Sequence, residues 1–368
     1  MSYLPDRNFG CRLTTEGTLK GLRTVVLENQ KLRVTVLVDK GTDIWEFLYK
    51  PLDVDFMWRS PILLRDPRHF VPTSSSSWGV WYDYYAGGWQ DILPSGGPPS
   101  SHKGADFGLH GESSTIPWEF RVLEDRPECV SVVFWVRLYR SPFYVEKRLT
   151  LVGHSSVLTI EETVENEASE SMALMWGHHP TLGEAFLDEH CVIDTDARRV
   201  LVHPKLSFER QRFEPGDEFD WPVGRSRSGE MIDVSRVPAP ENNTADMLYL
   251  FDFDRGWYAV TNQRLGLGFG MTWPKSVFPY LWFWQVCRGS YGYPWYGRTY
   301  NMSLEPFSSC PGGGLAEAVR NNTALWLEAG ESVTVQMSAV AYTGRGRVAR
   351  LNSDGAVQWR EQGASITD

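Results

Sequence analysis

Cysteine is scarce and unpatterned in this chain of 368 residues: Cys11, Cys129, Cys191, Cys287 and Cys310 are an odd number, widely spread, with no C-x-x-C among them. That excludes a disulfide frame and a cysteine zinc site, and reduced thiols fit better. Clustered positive charge is also missing. Lys and Arg total 36 against 46 Asp and Glu, a formal net charge of -10, with no basic block anywhere. Nucleic acid is therefore not an expected partner, since phosphate binding needs a concentrated basic surface. No run reaches the ~18 uninterrupted apolar residues of a membrane span, and the start MSYLPDRNFGCRL lacks the apolar core of a secretion signal. The chain reads as soluble and cytoplasmic, with no membrane partner. Fixed repeats are absent, which disfavours propellers and solenoids. Only His178 and His179 adjoin among the eight histidines, and no H-x-x-x-H occurs, so no metal is expected.

Aromatic residues are abundant instead: 16 Trp, 15 Tyr and 18 Phe. Many suit strands and core. Others fall in a Gly/Pro/Ser-rich stretch, SSSSWGVWYDYYAGGWQDILPSGGPPSS (74–101), and exposed rings in such a loop are what a sugar cleft needs, because the C–H face of a pyranose stacks on an aromatic plane. The loop, 74–106, is too long for a simple connection and reads as a cleft wall.

Period-two alternation recurs along the chain. In LRVTVLV (32–38), Leu32, Val34, Val36 and Val38 share one face. Similar segments follow at 24–29, 43–50, 129–140, 144–152, 156–166 and 171–179, and again from LYLFDF to ESVTVQMSAVAYT. Many short strands between Gly/Pro/Asn/Asp turns predict an all-β fold, a sandwich or barrel. Helical spacing is confined to LAEAVR (315–320) and a stretch around 184–190. Residues 1–345 read as one domain and 346–368 as a polar C-terminal extension that Trp359 could anchor.

Three stretches combine titratable side chains with constrained backbone: GLHGESSTIPWEF (108–120), WGHHPTLG (176–183) and YNMSLEPFSSCPGG (300–313). The spacing predicts a strand that ends on His179, with Pro180 stopping the ladder and holding the imidazole at a sheet rim. Each histidine could equally satisfy a strand-end carbonyl, and Glu305 could face solvent.

Taken in order, Leu109-His110-Gly111, Asn166 with His179-Pro180-Thr181-Leu182-Gly183, Glu305-Pro306 and the final ALWLEAGESVTVQMSAVAY resemble the aldose 1-epimerase (galactose mutarotase-like) superfamily over residues 24–344, in a divergent branch. The resemblance implies a large antiparallel β-sandwich, a monomer or homodimer, and interconversion of α and β anomers of a pyranose with no cofactor. It implies His179 as general acid and Glu305 as general base, the imidazole protonated and the carboxylate ionised near neutral pH. His110 would bind a sugar hydroxyl. Asp246 is the nearest match to the family's sugar-binding Asp. The family's upstream Arg has no clear counterpart, and Arg59, Arg65 or Trp89-Gln90-Asp91 could replace it. Arg298 could reach substrate from the rim of Glu305, and Trp89, Trp176 and Trp284 could stack on sugar. His178 should point to the other face by alternation, or contact substrate. Glu112 stands where the family has a second Gly, and Thr181-Leu182 where it has Tyr-Phe.

Other readings stay open: a carbohydrate-binding module without turnover, an epimerase or isomerase of a modified or acidic sugar, and a glycoside hydrolase or lyase using Glu305 with Glu112 or Asp91.

Overall fold

Alternation decides the architecture. A computed structural model describes residues 10–205 and 208–361. In it the apolar faces of the strands meet in two antiparallel sheets, one of twelve strands and one of eight. The twelve-stranded sheet runs from Arg12–Leu19 at one edge to Glu218–Asp220 at the other. Trp89–Ile92, Gly177–Leu182, Tyr300–Phe307, Tyr280–Cys287 and Thr244–Phe251 are consecutive neighbours in its middle. The eight-stranded sheet runs from Cys191–Thr195 to Glu119–Asp125, with Ser332–Thr343, Val157–Asn166 and Phe143–Val152 inside it.

The sandwich interior is where the two sheets face each other. Val34, Val36, Leu248, Met302 and Leu304 from the larger sheet pack there with Leu149, Ile160, Val164, Phe269 and Met271 from the smaller. Each buried side chain of this kind is worth roughly 1.5–3 kcal/mol. The larger sheet carries a second apolar cluster on its other face, including Met247, Tyr249, Trp282 and Phe307, with the last two rings stacked at 3.8 Å. Successive residues of each central strand therefore serve two different environments.

The expected strand at 171–179 divides. Met172–Leu174 pairs with Leu325–Leu327 in a small separate sheet, and a new strand, Gly177–Leu182, begins after Trp176. Both histidines and Pro180 lie inside this histidine strand, at the centre of the larger sheet, so Pro180 does not end the ladder at a rim as expected. Glu305 and Pro306 likewise lie within the glutamate strand, Tyr300–Phe307. The reason is the direction in which the prolines face. Thr181 N–H points away from the glutamate strand to Gly88 O, whereas Ser308 N–H points toward the histidine strand, to Trp176 O. By alternation, Pro180 and Pro306 both turn their donor-less nitrogens into the seam between these two strands. The ladder there is registered at Gly177↔Phe307 and resumes at Thr181↔Ser303. Between them, Ser303 Oγ donates to Pro180 O at 2.8 Å and bridges the gap.

Leu315–Arg320 is a short helix as its spacing predicts, whereas 184–190 forms turns. The long aromatic loop contains a one-turn helix, Gly79–Tyr82, that composition did not announce. The C-terminal segment packs against the sandwich, with the Trp359 ring 6.0 Å from that of Tyr342. Val348–Leu351 and Val357–Trp359 form a hairpin whose Val348 and Leu351 pack with Trp257 and Tyr342, and Arg347 and Arg360 both reach the buried Asp194. Residues 362–368 of that expectation lie outside the described residues.

Candidate active site

Adjacent central strands bring the two distant motifs together. The register on either side of the seam places His179 opposite Glu305, and His179 Nε2 lies 3.4 Å from Glu305 Oε1. The other imidazole nitrogen is occupied: Nδ1 is 3.0 Å from Thr181 Oγ1, which in turn lies 2.7 Å from the Tyr85 hydroxyl. Thr181 thus fixes the ring and leaves Nε2 to face the carboxyl. Glu305 Oε2 is buried without a hydrogen-bond partner.

His110 completes the cluster, its ring centroid 5.6 Å from that of His179. His110 and Gly111 both have positive φ, 59° and 73°, and a Cβ on Gly111 would meet Leu93 O at 2.3 Å, so only glycine fits there. His110 N–H donates to Gly97 O, and Gly97 N–H donates to His110 Nδ1 at 3.2 Å, which puts the imidazole proton on Nε2.

These three side chains line a cleft of 330 Å³ on the outer face of the larger sheet. Trp81, Tyr85, Trp282, Trp284 and Trp295 form much of its wall. The loop expected to be a cleft wall is one, supplying Trp78, Trp81, Tyr82, Tyr85, Gly97 and Pro98. Trp295 and Tyr249 also line the cleft and were not read from the sequence. The Pro/Gly-rich YGYPWYG around Trp295 carried the same signal as the 74–101 loop, whereas Tyr249, in a plain alternating strand, carried none.

Burial sets the protonation of the pair. It pushes the His179 imidazole down to about 4. It holds the Glu305 carboxyl well above the usual carboxylate range, with the Ser303 hydroxyl pulling the other way. Burial, and then the neighbouring His179, push His110 well below the ordinary histidine value. The favoured resting form is a neutral imidazole beside a protonated carboxyl, the reverse of the charged pair expected from the resemblance.

Other expected contacts lie elsewhere. His178 points into the sandwich interior, where it joins a square of buried charges. Asp91 and His178 are cross-strand neighbours on one sheet, and Lys147 and Glu162 on the other. His178 Nδ1 is 3.2 Å from Asp91 and Nε2 3.2 Å from Glu162, while Lys147 pairs with Asp91. Burial alone would lower the His178 value, but Glu162 and Asp91 outweigh it and raise it to about 9. Burial likewise works to raise Asp91, and Lys147 and His178 overcome it. The ligand atoms of Asp91, Glu162 and His178 lie within 4.8 Å of one another, close enough to hold a cation. Lys147 and a protonated His178 already balance the two carboxylates. The sequence held a sign of this square, since Lys147 shares the buried face of Val145, Leu149 and Leu151.

Trp89 and Trp176 serve that interior and do not line the cleft: Trp89 Nε1 is 3.2 Å from His178 Nδ1, and Trp176 Nε1 donates to Glu162 at 3.3 Å. Gln90 stands beside His179 in register, yet its amide donates to Asp43 and to Gly87 O. Asp246 is held by Arg212 and faces away from the cleft that its neighbour Met247 lines. Arg298 is exposed and sits over Tyr296. Arg59 pairs with Asp55, and Arg65 donates to Asp83 O. None of the three arginines lines the cleft. Glu112 accepts from Tyr139 N, Arg140 N and Ser141 Oγ, anchoring the 139–141 turn.

A family model described as a domain of unknown function (DUF4432) matches residues 19–340. No curated protein matches the chain. Among solved structures, a proposed aldose 1-epimerase from Klebsiella pneumoniae aligns with a TM-score of 0.69 at 13% identity, covering 91% of this chain and 83% of the other. A galactose mutarotase-like protein from Clostridium acetobutylicum gives 0.60 at 13% identity, with 91% and 99% covered. A galactose mutarotase related enzyme from Lactobacillus acidophilus gives 0.58 at 15%, with 88% and 98% covered. The fold is the galactose mutarotase-like β-sandwich.

Proposed function

Since the chain belongs to the DUF4432 family, whose description assigns no activity, we propose a function from the cleft itself: an aldose 1-epimerase that opens and recloses a pyranose hemiacetal. The observation that carries this reading is the 3.4 Å approach of His179 Nε2 to Glu305 Oε1 in an aromatic-walled cleft.

Mutarotation needs one group to take the proton of the anomeric hydroxyl while another gives a proton to the ring oxygen as the C1–O5 bond breaks. After rotation about C1–C2, the same transfers run backward on the other face. Glu305 and His179 share one mobile proton. In the ionic form Glu305 accepts from O1 and His179 donates to O5. From the neutral form favoured by burial, the carboxyl donates and the imidazole accepts. The reaction is its own reverse, so either starting form completes a cycle with atoms and charge conserved. His110, with its proton on Nε2, is placed to donate to a sugar oxygen beside the pair. No step of this scheme calls on a metal or organic cofactor.

The hydrolase reading loses the second carboxylates first considered for it. Glu112 is consumed by its turn and Asp91 lies on the opposite face of the sheet. Glu317, which does line the cleft, pairs with Lys205 at 2.7 Å.

The test is exchange NMR of α/β interconversion across aldoses, uronates and phosphorylated or sulfonated sugars. Wild-type protein should accelerate exchange of at least one sugar. Glu305→Gln, which keeps shape but cannot exchange the proton, should slow it at least about 10²-fold with affinity little changed, and His179→Asn should do likewise. Exchange rates identical with and without protein over the whole panel would leave a binding module as the better reading.

A further inference from the structure

The aromatic lining does not stop at the reacting pair. From His179 the ring centroids step outward to Trp284 at 5.8 Å, from Trp284 to Trp295 at 5.7 Å, from Trp295 to Tyr82 at 5.8 Å, and from Tyr82 to Tyr293 at 5.9 Å. Trp78 lies stacked on Tyr82, one helical turn away. The outer rings are open to solvent, Trp78 by 40% and Tyr293 by 53%. A second hollow of 490 Å³ adjoins the cleft there and shares Trp78 and Tyr82 with it.

Resting on the mutarotase reading, we propose that the substrate is an oligosaccharide with a free reducing end, and that the ledge of Trp78, Tyr82 and Tyr293 holds the sugar unit next to the reacting one. Only a reducing-end ring has the hemiacetal on which His179 and Glu305 can act. With that ring's C1 at the pair, the rest of the molecule must leave through the open side of the cleft, and the ring path leads there.

The chemistry of the ledge selects a saccharide over other occupants. Exposed aromatic rings grouped in a hollow mark a binding surface. A sugar offers each ring a C–H face and puts its hydroxyls at the edges, and the hollow has groups to meet them. Asp83 lies between the rings with its carboxylate fixed, accepting from the Tyr293 hydroxyl and from Thr73 Oγ1, each at 2.8 Å. A carboxylate has about four acceptor sites, so hydroxyl donors can still be received. Ser74 and Ser76 stand in the same wall. An acyl chain or an aryl group would cover the rings but leave these polar groups without partners, at a desolvation cost.

The experiment measures affinity and turnover separately. Binding of glucose, galactose, maltose, lactose and cellobiose is followed by tryptophan fluorescence in the Glu305→Gln protein, and exchange NMR gives kcat/KM in wild type. At least one disaccharide should bind about tenfold more tightly than its own reducing-end monosaccharide, and its kcat/KM should be higher by a similar factor. Trp78→Ala and Tyr293→Ala should bring both ratios close to one, while Tyr293→Phe, which keeps the ring, should retain most of the preference. Equal affinity for mono- and disaccharides in the parent protein would overturn the ledge, as would ratios untouched by the alanine substitutions. A disaccharide preference in binding with no acceleration of exchange for any sugar would leave the ledge standing and remove the mutarotase reading.

Discussion

His178 and His179 are neighbours in one strand, both buried and both beside a glutamate, yet one has its value raised to about 9 and the other lowered to about 4. The difference lies in charge, not depth. His178 faces the Asp91 and Glu162 carboxylates, which favour its protonated form, inside a square that also holds Lys147. His179 faces one carboxyl whose value burial raises, so burial works against charge on either partner of this pair. The larger sheet thus shares a cluster of buried charges with the smaller sheet on its inner face and carries the His179–Glu305 pair on its outer face.

The sharpest way to break the contrast is to unbalance the inner square. Lys147→Met leaves the buried Asp91 without its lysine, and chemical denaturation should show a loss of about 3–5 kcal/mol. A loss under 1 kcal/mol would mean the square is not ionised as described. Next in size is the alkaline response. The folded-state value of His178 is raised, so its stabilising effect is complete below about pH 6.5, declines above that, and is gone once pH passes about 9. Comparing wild type with His178→Gln should reveal an alkaline loss on the order of 3 kcal/mol in wild type alone. If both proteins fall in parallel, the imidazolium is not what holds the square together.

The outer face should respond with the opposite sign. Glu305 has a raised folded-state value, so above the unfolded carboxyl value it costs stability, and that cost disappears as pH falls below about 4.5. Glu305→Gln should therefore be more stable than wild type by about 1 kcal/mol at neutral pH, with the gain fading in acid, even as interconversion collapses. Destabilisation by this substitution would contradict the neutral-pair description. The smallest effect is on the acid limb of the rate. With His179 near 4, interconversion should hold down to about that pH and fall below it, because both members then carry protons and no acceptor remains. A limb near the ordinary histidine value of about 6.5 would place His179 in the charged form instead.

The two faces were not equally legible. Period-two patterning gave an all-β sandwich or barrel, and the order of the His-Gly, His-Pro and Glu-Pro motifs, with the resemblance it carries, singled out the sandwich and three residues that converge in one cleft. What alternation could not supply was register between strands far apart in sequence, so Asp246, Arg298, Trp89 and Trp176 were placed by motif likeness or residue type alone. Each is used locally: Asp246 by Arg212, Arg298 over the Tyr296 ring, and the two tryptophans by the charge square. Pro180 misled for a related reason. Proline forbids a ladder bond only on the side its nitrogen faces, and which side that is depends on pairing partners that the local sequence does not name.

The seam between the histidine and glutamate strands has a consequence for how the centre of the sheet is held together. With two main-chain donors removed at the same junction, the spacing of His179 and Glu305 is set by packing and by the Ser303 hydroxyl on Pro180 O, not by a continuous backbone ladder. The larger sheet is zipped on both sides of His179 and Glu305 but left unstitched between them. At the floor of the cleft the two halves of the sheet meet through side chains, not through main-chain rungs.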